Sequence, residues 1–123
     1  MEQDALTGRV IGCAIEVHRN LGPGLLESTY ERCLAHELSL AGFDFKVQVP
    51  VPVNYKGINL DCAYRLDMLI EDKFILELKA VDRLNGVHEA QLLTYMKLAR
   101  VSTGLLINFN VKKLVDGIRR FKV

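Results

Sequence analysis

The segment Arg65-Leu-Asp-Met-Leu-Ile-Glu-Asp-Lys-Phe-Ile-Leu-Glu-Leu-Lys79 admits very few folds. Two alternating runs flank the polar triplet Glu71-Asp72-Lys73, the pattern of two strands joined by a short loop. With the triplet as the loop, Ile70 faces Phe74, Met68 faces Leu76 and Leu66 faces Leu78, so one face is wholly apolar. The opposite face pairs Leu69 with Ile75, Asp67 with Glu77 and Arg65 with Lys79. A slip of one residue would mix the two faces, so this register is the one the sequence supports. The second face is apolar near the loop and charged at its far end, so another element must cover part of it.

Upstream, Val10, Ile11, Ala14, Ile15 and Val17 recur at helical spacing, predicting a helix from about Asp4 to Asn20 with Asp4 or Thr7 as its cap. Leu21-Gly-Pro-Gly24 ends it. A second helix is expected from about Leu25 to Ala41, facing inward through Leu26, Tyr30, Cys33, Leu34, Glu37, Leu38 and Ala41, with Gly42 as its C-terminal glycine. From Phe43 to Val53 the period becomes two, and Pro50 and Pro52 confine that strand to an edge or a bulge. Lys56-Gly57 marks a tight turn, followed by a strand over Ile58–Tyr64. Beyond the 65–80 hairpin, Asn85 or Gly86 opens a helix to about Arg100. Thr103–Phe109 reads as a buried strand, and the basic tail as one more strand or a short helix. The expected order, α-α-β-β-β-β-α-β, describes an α/β fold with a mixed β-sheet flanked by helices. No repeat or linker divides it, so residues 1–123 read as a single domain.

Composition narrows the function classes. Sixteen Lys and Arg against fifteen Asp and Glu leave a formal charge of +1, so the molecule is no polycation and a nucleic-acid partner must meet a local basic patch. Lys97, Arg100, Lys112, Lys113, Arg119, Arg120 and Lys122 are the candidates, a solubilising tail being an equal reading. Cys13, Cys33 and Cys62 form neither a C-x-x-C pair nor a zinc pattern and read as buried free thiols. The N-terminus lacks a basic, apolar leader and no apolar run is long enough for a bilayer, so a cytoplasmic protein without a membrane partner is expected. No P-loop and no serine–histidine or cysteine–histidine arrangement stands out.

The chemistry concentrates on the charged end of the hairpin. Directly opposed Asp67 and Glu77 would have Cβ atoms about 5 Å apart, and like charges so placed need a cation between them. With Lys79 on the same face, two carboxylates and an amine suit a hard divalent ion beside an electrophilic lysine. The same four charges could instead form a solvated cross-strand ladder, although a ladder would set the acids diagonally. On the third helix His88, Gln91, Leu92, Tyr95, Leu98 and Ala99 share a face that would cover the hairpin, its apolar part on Leu69 and Ile75 and Gln91 toward the carboxylates. His88 reads more readily as a plain polar residue than as a ligand.

Asp67, followed after nine residues by Glu77-Leu78-Lys79, resembles the signature of the PD-(D/E)xK nuclease superfamily. Gly24-Leu-Leu-Glu27-Ser-Thr-Tyr30 is similar to the motif that names its GxxExxY family, and the resemblance runs from about residue 8 to residue 121. It implies a restriction-endonuclease-like three-layer fold and metal-dependent phosphodiester hydrolysis of nucleic acid, with DNA the favoured substrate. It implies that Asp67 and Glu77 ligate Mg²⁺ or Mn²⁺, with the Leu78 carbonyl and Glu27 completing the shell. Lys79 would position the attacking water and offset phosphate charge, and Gln91 would join the site. Leu66 stands where the proline of the superfamily name would precede Asp67. A non-catalytic nucleic-acid-binding or protein-interaction module on the same fold is the alternative, and a homodimer would help so small a domain grip a duplex.

Overall fold

The computed structural model describes residues 2–60 and 64–123. Cys62 and much of the second half of the strand expected over 58–64 lie outside them. The elements are helices α1 (Glu2–Leu21) and α2 (Glu27–Leu40), strands β1 (Phe45–Pro50), β2 (Val53–Tyr55), β3 (Ile58–Leu60), β4 (Arg65–Ile70) and β5 (Phe74–Lys79), helix α3 (Gly86–Ala99), and strands β6 (Thr103–Asn108) and β7 (Ile118–Lys122). The five-stranded sheet has the order β1-β4-β5-β6-β7; β5 and β6 are parallel, joined through α3, and the other neighbours are antiparallel. β2 and β3 form a separate two-stranded ribbon.

Two cores follow from this layering. On one face α1 (Val10, Ala14, Val17) and α2 (Tyr30, Leu34, Leu38) bury Met68, Ile70, Phe74, Leu76, Leu78, Leu105 and Ile107. On the other, Leu92, Tyr95 and Met96 of α3 cover Ile75, Leu66 and Leu106, with Leu69 packed against them. α3 is therefore the cover that the apolar part of the hairpin's second face demanded. The inner strand β6 is buried along its whole length, as a strand covered on both faces must be.

Local chemistry explains the boundaries. Gly22 and Gly24 adopt positive φ of 69° and 97° at the break between α1 and α2. At the end of α2, Gly42 (φ 82°) allows its N–H to donate to Ser39 and that of Phe43 to Leu38, closing the helix with a left-handed cap. Asn85 caps α3 by accepting from the N–H groups of Val87 and His88, while the His88 imidazole accepts from the Asn85 N–H. His88 is thus a helix-capping residue.

Several expectations are corrected. Asp4 and Thr7 lie inside α1 rather than capping it, because the helix starts at Glu2, and Thr7 donates to the Asp4 carbonyl. α2 opens at Glu27 rather than at about Leu25, and Leu26 and Ala41, expected to face inward, are exposed. Cys13 and Cys33 are half-buried free thiols. The run 43–53 splits into β1 and β2, since Val51 and Pro52 leave the ladder; its first part is the edge strand that the prolines required. The tail forms both a 3-10 turn (Leu114–Gly117) and a strand.

The most consequential correction concerns the hairpin. Its register is as expected at Ile70–Phe74, Leu69–Ile75 and Met68–Leu76, but the backbone ladder ends there. Leu66, expected beside Met68, packs in the opposite core. The partner strand β1 changes face at the same level: Phe45 packs against the α1–α2 core and Val49 against the α3 core. Between them Gln48 holds a left-handed φ of 51°, and it is the one position of β1 not paired with β4. A left-handed residue breaks the two-residue alternation, and both strands turn over at the row containing Gln48 and Asp67.

Candidate functional site

The strands splay at that row, and the acids occupy the opening. The Asp67 N–H donates to the Glu77 carboxylate at 2.7 Å, and the Leu78 N–H donates to the Asp67 carboxylate at 2.7 Å. Each side chain therefore replaces a missing ladder partner for the opposite strand, so the Asp67 and Leu78 N–H groups are both satisfied. Glu77 is only 3% exposed and Asp67 is half-buried. Burial, followed by the neighbouring Asp67 charge, pushes the Glu77 carboxyl from 4.5 up to about 8, against the Asp67 N–H and the Lys79 ammonium, which favour its ionised form. Burial likewise raises Asp67, with the Leu78 N–H, Lys79 and Gln48 opposing it.

The remaining side chains converge from three elements. Lys79, at the end of β5, donates to Gln91 of α3 at 3.5 Å, and Gln91 donates to the Tyr95 hydroxyl at 3.3 Å. Gln91 thus meets the lysine rather than a carboxylate. Glu27, at the start of α2, accepts from the Ala80 N–H at 3.3 Å, and its charge acts on both Asp67 and Glu77. Tyr30 fixes the approach to Glu27: its buried hydroxyl donates to the Gly22 carbonyl at 2.6 Å and accepts from the Leu25 N–H at 3.1 Å, and its ring stacks on Phe109.

Three contributors were not foreseen from the sequence. Gln48 donates to Glu31 at 2.9 Å and to Asp67 at 3.4 Å, tying α2 to β4. Glu31, one turn beyond Glu27, has its carboxyl raised by burial and by Asp67; that i, i+4 spacing was the signal available for it. Gln48 carried none, because no short turn sets the register of β1 on β4. Asn108 accepts from the Val81 and Asn110 N–H groups and donates to the Val81 carbonyl, clamping the chain just past Lys79. A polar residue closing an apolar strand was its only trace in the sequence.

The donor set fits a hard cation of the Mg²⁺ type. Among the described residues no group of three or more His, Cys, Asp or Glu side chains is placed to hold a metal ion. Mg²⁺ does not need one: it is commonly held by one or two carboxylates, with water and substrate phosphate completing the shell. Asp67 and Glu77 each commit one oxygen to a backbone N–H, and a carboxylate has further lone pairs to offer. Two opposed acids that burial makes costly to ionise are a pair that a cation would stabilise.

The basic tail is largely neutralised. Arg119 pairs with Glu89 at 3.8 Å, and Arg120 and Lys122 pair with Asp4 at 3.6 and 2.6 Å. Among the described residues no helix is long and apolar enough to cross a membrane.

A family model described as the PD-(D/E)XK nuclease superfamily matches residues 4–121. No curated protein and no solved structure gives a match. Three helices on a mixed five-stranded sheet, layered α/β/α, form the restriction-endonuclease-like fold.

Proposed function

We propose a function from one premise: the chain belongs to the PD-(D/E)XK nuclease superfamily, whose model covers nearly all of it. On that premise it is a nuclease, a single domain that hydrolyses phosphodiester bonds in nucleic acid, with DNA as the substrate. The Gly24…Glu27…Tyr30 motif assigns it to the GxxExxY branch. The observation carrying the reading is the splayed row itself, where Asp67 and Glu77 face one another out of the ladder with Glu27 and Lys79 acting on both.

Asp67 and Glu77 would hold Mg²⁺ or Mn²⁺, with Glu27 and the Leu78 carbonyl beside them. Such an ion supplies Lewis-acid polarisation of the phosphate and a bound water of lowered pKa. The protein's own groups do the rest. Lys79 orients the attacking water and offsets the charge that grows on the phosphate oxygens. Gln91 fixes Lys79 from the α3 side, so the ammonium is set before substrate arrives. Asp67 and Glu77 keep their geometry through the two backbone N–H groups they accept from.

The test is a cleavage assay on single-stranded, duplex and branched DNA with Mg²⁺, Mn²⁺ or EDTA. Metal-dependent cleavage that Asp67→Ala and Lys79→Ala each lower by at least about 100-fold is the expected outcome. Cleavage that persists in EDTA, or that is equal in Asp67→Ala, refutes the reading. Salt-sensitive binding without cleavage, lost on changing Lys112 and Lys113 but not Asp67, would identify a binding module instead.

A further inference from the structure

Beside the acidic row lies a groove that the hydrolytic chemistry leaves unused. It is an open groove of about 510 Å³ between α3 and the chain at Val53 of β2 and Tyr64 before β4, and is lined by Val53, Tyr64, Val87, Gln91, Tyr95 and Leu98 along with two small residues of α3. None of its lining residues is charged, whereas the adjoining row holds Glu27, Asp67, Glu77 and Lys79. The two are continuous at Gln91, which touches Lys79 on one side and Tyr95 on the other. The Asp67 and Glu77 charges also act on the Tyr95 hydroxyl, whose proton burial already holds more tightly.

We propose that this groove receives one unpaired nucleobase of the substrate strand, next to the phosphate held at the acidic row. The inference rests on the nuclease reading and names its substrate class: single-stranded DNA, or the unpaired part of a frayed or branched one. The lining chemistry selects this occupant. A phosphate would require cations or free helix N-terminal amides; the wall holds no charged residue, and the amides of Val87 and His88 in the first turn of α3 are already taken by the Asn85 side chain. A base has an apolar face and a hydrogen-bonding edge, and the groove offers both. Tyr64, half exposed, supplies aromatic surface for stacking, and the largely buried Tyr95 is a second aromatic residue in the wall. Gln91 and Thr94, which also line the groove, carry hydrogen-bonding side chains. A base paired within a duplex cannot enter such a slot without leaving its stack, which makes an already unpaired strand the favoured substrate.

The experiment uses 2-aminopurine at successive positions of a single-stranded oligodeoxynucleotide, titrated with the intact protein in EDTA so that no cleavage occurs. One position is expected to be strongly quenched on binding, and Tyr64→Ala is expected to weaken binding by about 5- to 100-fold while Tyr64→Phe restores it. The same DNA annealed to its complement should show no such quenching. If Tyr64→Ala binds and quenches as the wild type does, or if no position is quenched, the groove is not a base site. Wild-type dimers that Tyr64→Ala dissociates, without quenching, would make the groove a contact between two copies and overturn the proposal. Cleavage in Mg²⁺ that depends on Asp67 but not on Tyr64 leaves the nuclease reading intact and removes this one. Tyr64-dependent quenching with no cleavage under any divalent ion keeps the base site and removes the nuclease.

Discussion

Replacing Glu77 by Gln should make the metal-free protein more stable above neutral pH, an unusual result for a residue at the centre of a candidate active site. The Glu77 carboxyl titrates at 4.5 when unperturbed and at about 8 in the fold. Between those values the folded chain keeps a proton that the unfolded chain releases, so stability falls as pH rises through the window and levels off above about 8. At about 1.4 kcal/mol per pH unit, the full cost approaches ~5 kcal/mol, a large share of the 5–15 kcal/mol typical of a whole domain. The glutamine keeps the acceptor for the Asp67 N–H and carries no charge. Thermal unfolding in EDTA, followed by circular dichroism from pH 5 to pH 9, should show the wild type losing on the order of 10–20 °C relative to Glu77→Gln, at roughly 4 °C per kcal/mol for this chain length. The difference between the two proteins isolates this carboxyl from every other pH-dependent contribution that the two share. Saturating Mn²⁺ at pH 8 should restore much of the loss in the wild type and little in the variant. Parallel curves across the pH range would refute the argument that burial and Asp67 hold this carboxyl protonated.

Three further outcomes test the supports of the site. Asn108→Ala removes a 2% exposed side chain that makes three backbone hydrogen bonds, and should cost about 3 kcal/mol in urea denaturation. Tyr30→Phe strands the Leu25 N–H and the Gly22 carbonyl beneath the α1–α2 break, and should cost about 1–3 kcal/mol by the same measure. At Gln48 the usual strand preference should invert: its φ of 51° favours glycine, so Gln48→Gly should be more stable than Gln48→Ala by about 1–2 kcal/mol in paired thermal melts.

Much of this protein is legible in its sequence, and the exceptions have a common cause. The register near the hairpin loop follows from alternation alone, because a short turn fixes which residues meet: Leu69, Ile75 and their neighbours pair as the pattern requires. The third helix is readable for a similar reason, since Asn85 and Arg100 bound it with local chemistry and its apolar face matches the strand face it covers. What local pattern could not convey is the reversal at Gln48 and Asp67. Alternation assumes that strand geometry continues, and here it stops. Leu66 changes cores, and the acids, expected as a paired row, become hydrogen-bond partners of the opposite backbone. Long-range contacts share this opacity. Nothing near Gln48 in the chain indicates that it bridges Glu31 and Asp67, and nothing near Asn108 indicates that it holds Val81. Tyr30, by contrast, lies on the inward face that helical spacing predicts, and it is fully buried with its hydroxyl satisfied.

The central claim is that Asp67 and Glu77 together hold a divalent cation at the splayed end of the hairpin. Anomalous diffraction from a crystal soaked in Mn²⁺ tests it most directly. A single peak within coordination distance of both carboxylates, absent from Asp67→Asn crystals soaked alike, is the predicted result. A density map with no anomalous signal between the two acids at saturating Mn²⁺, or with the ion bound elsewhere on the surface, would contradict it.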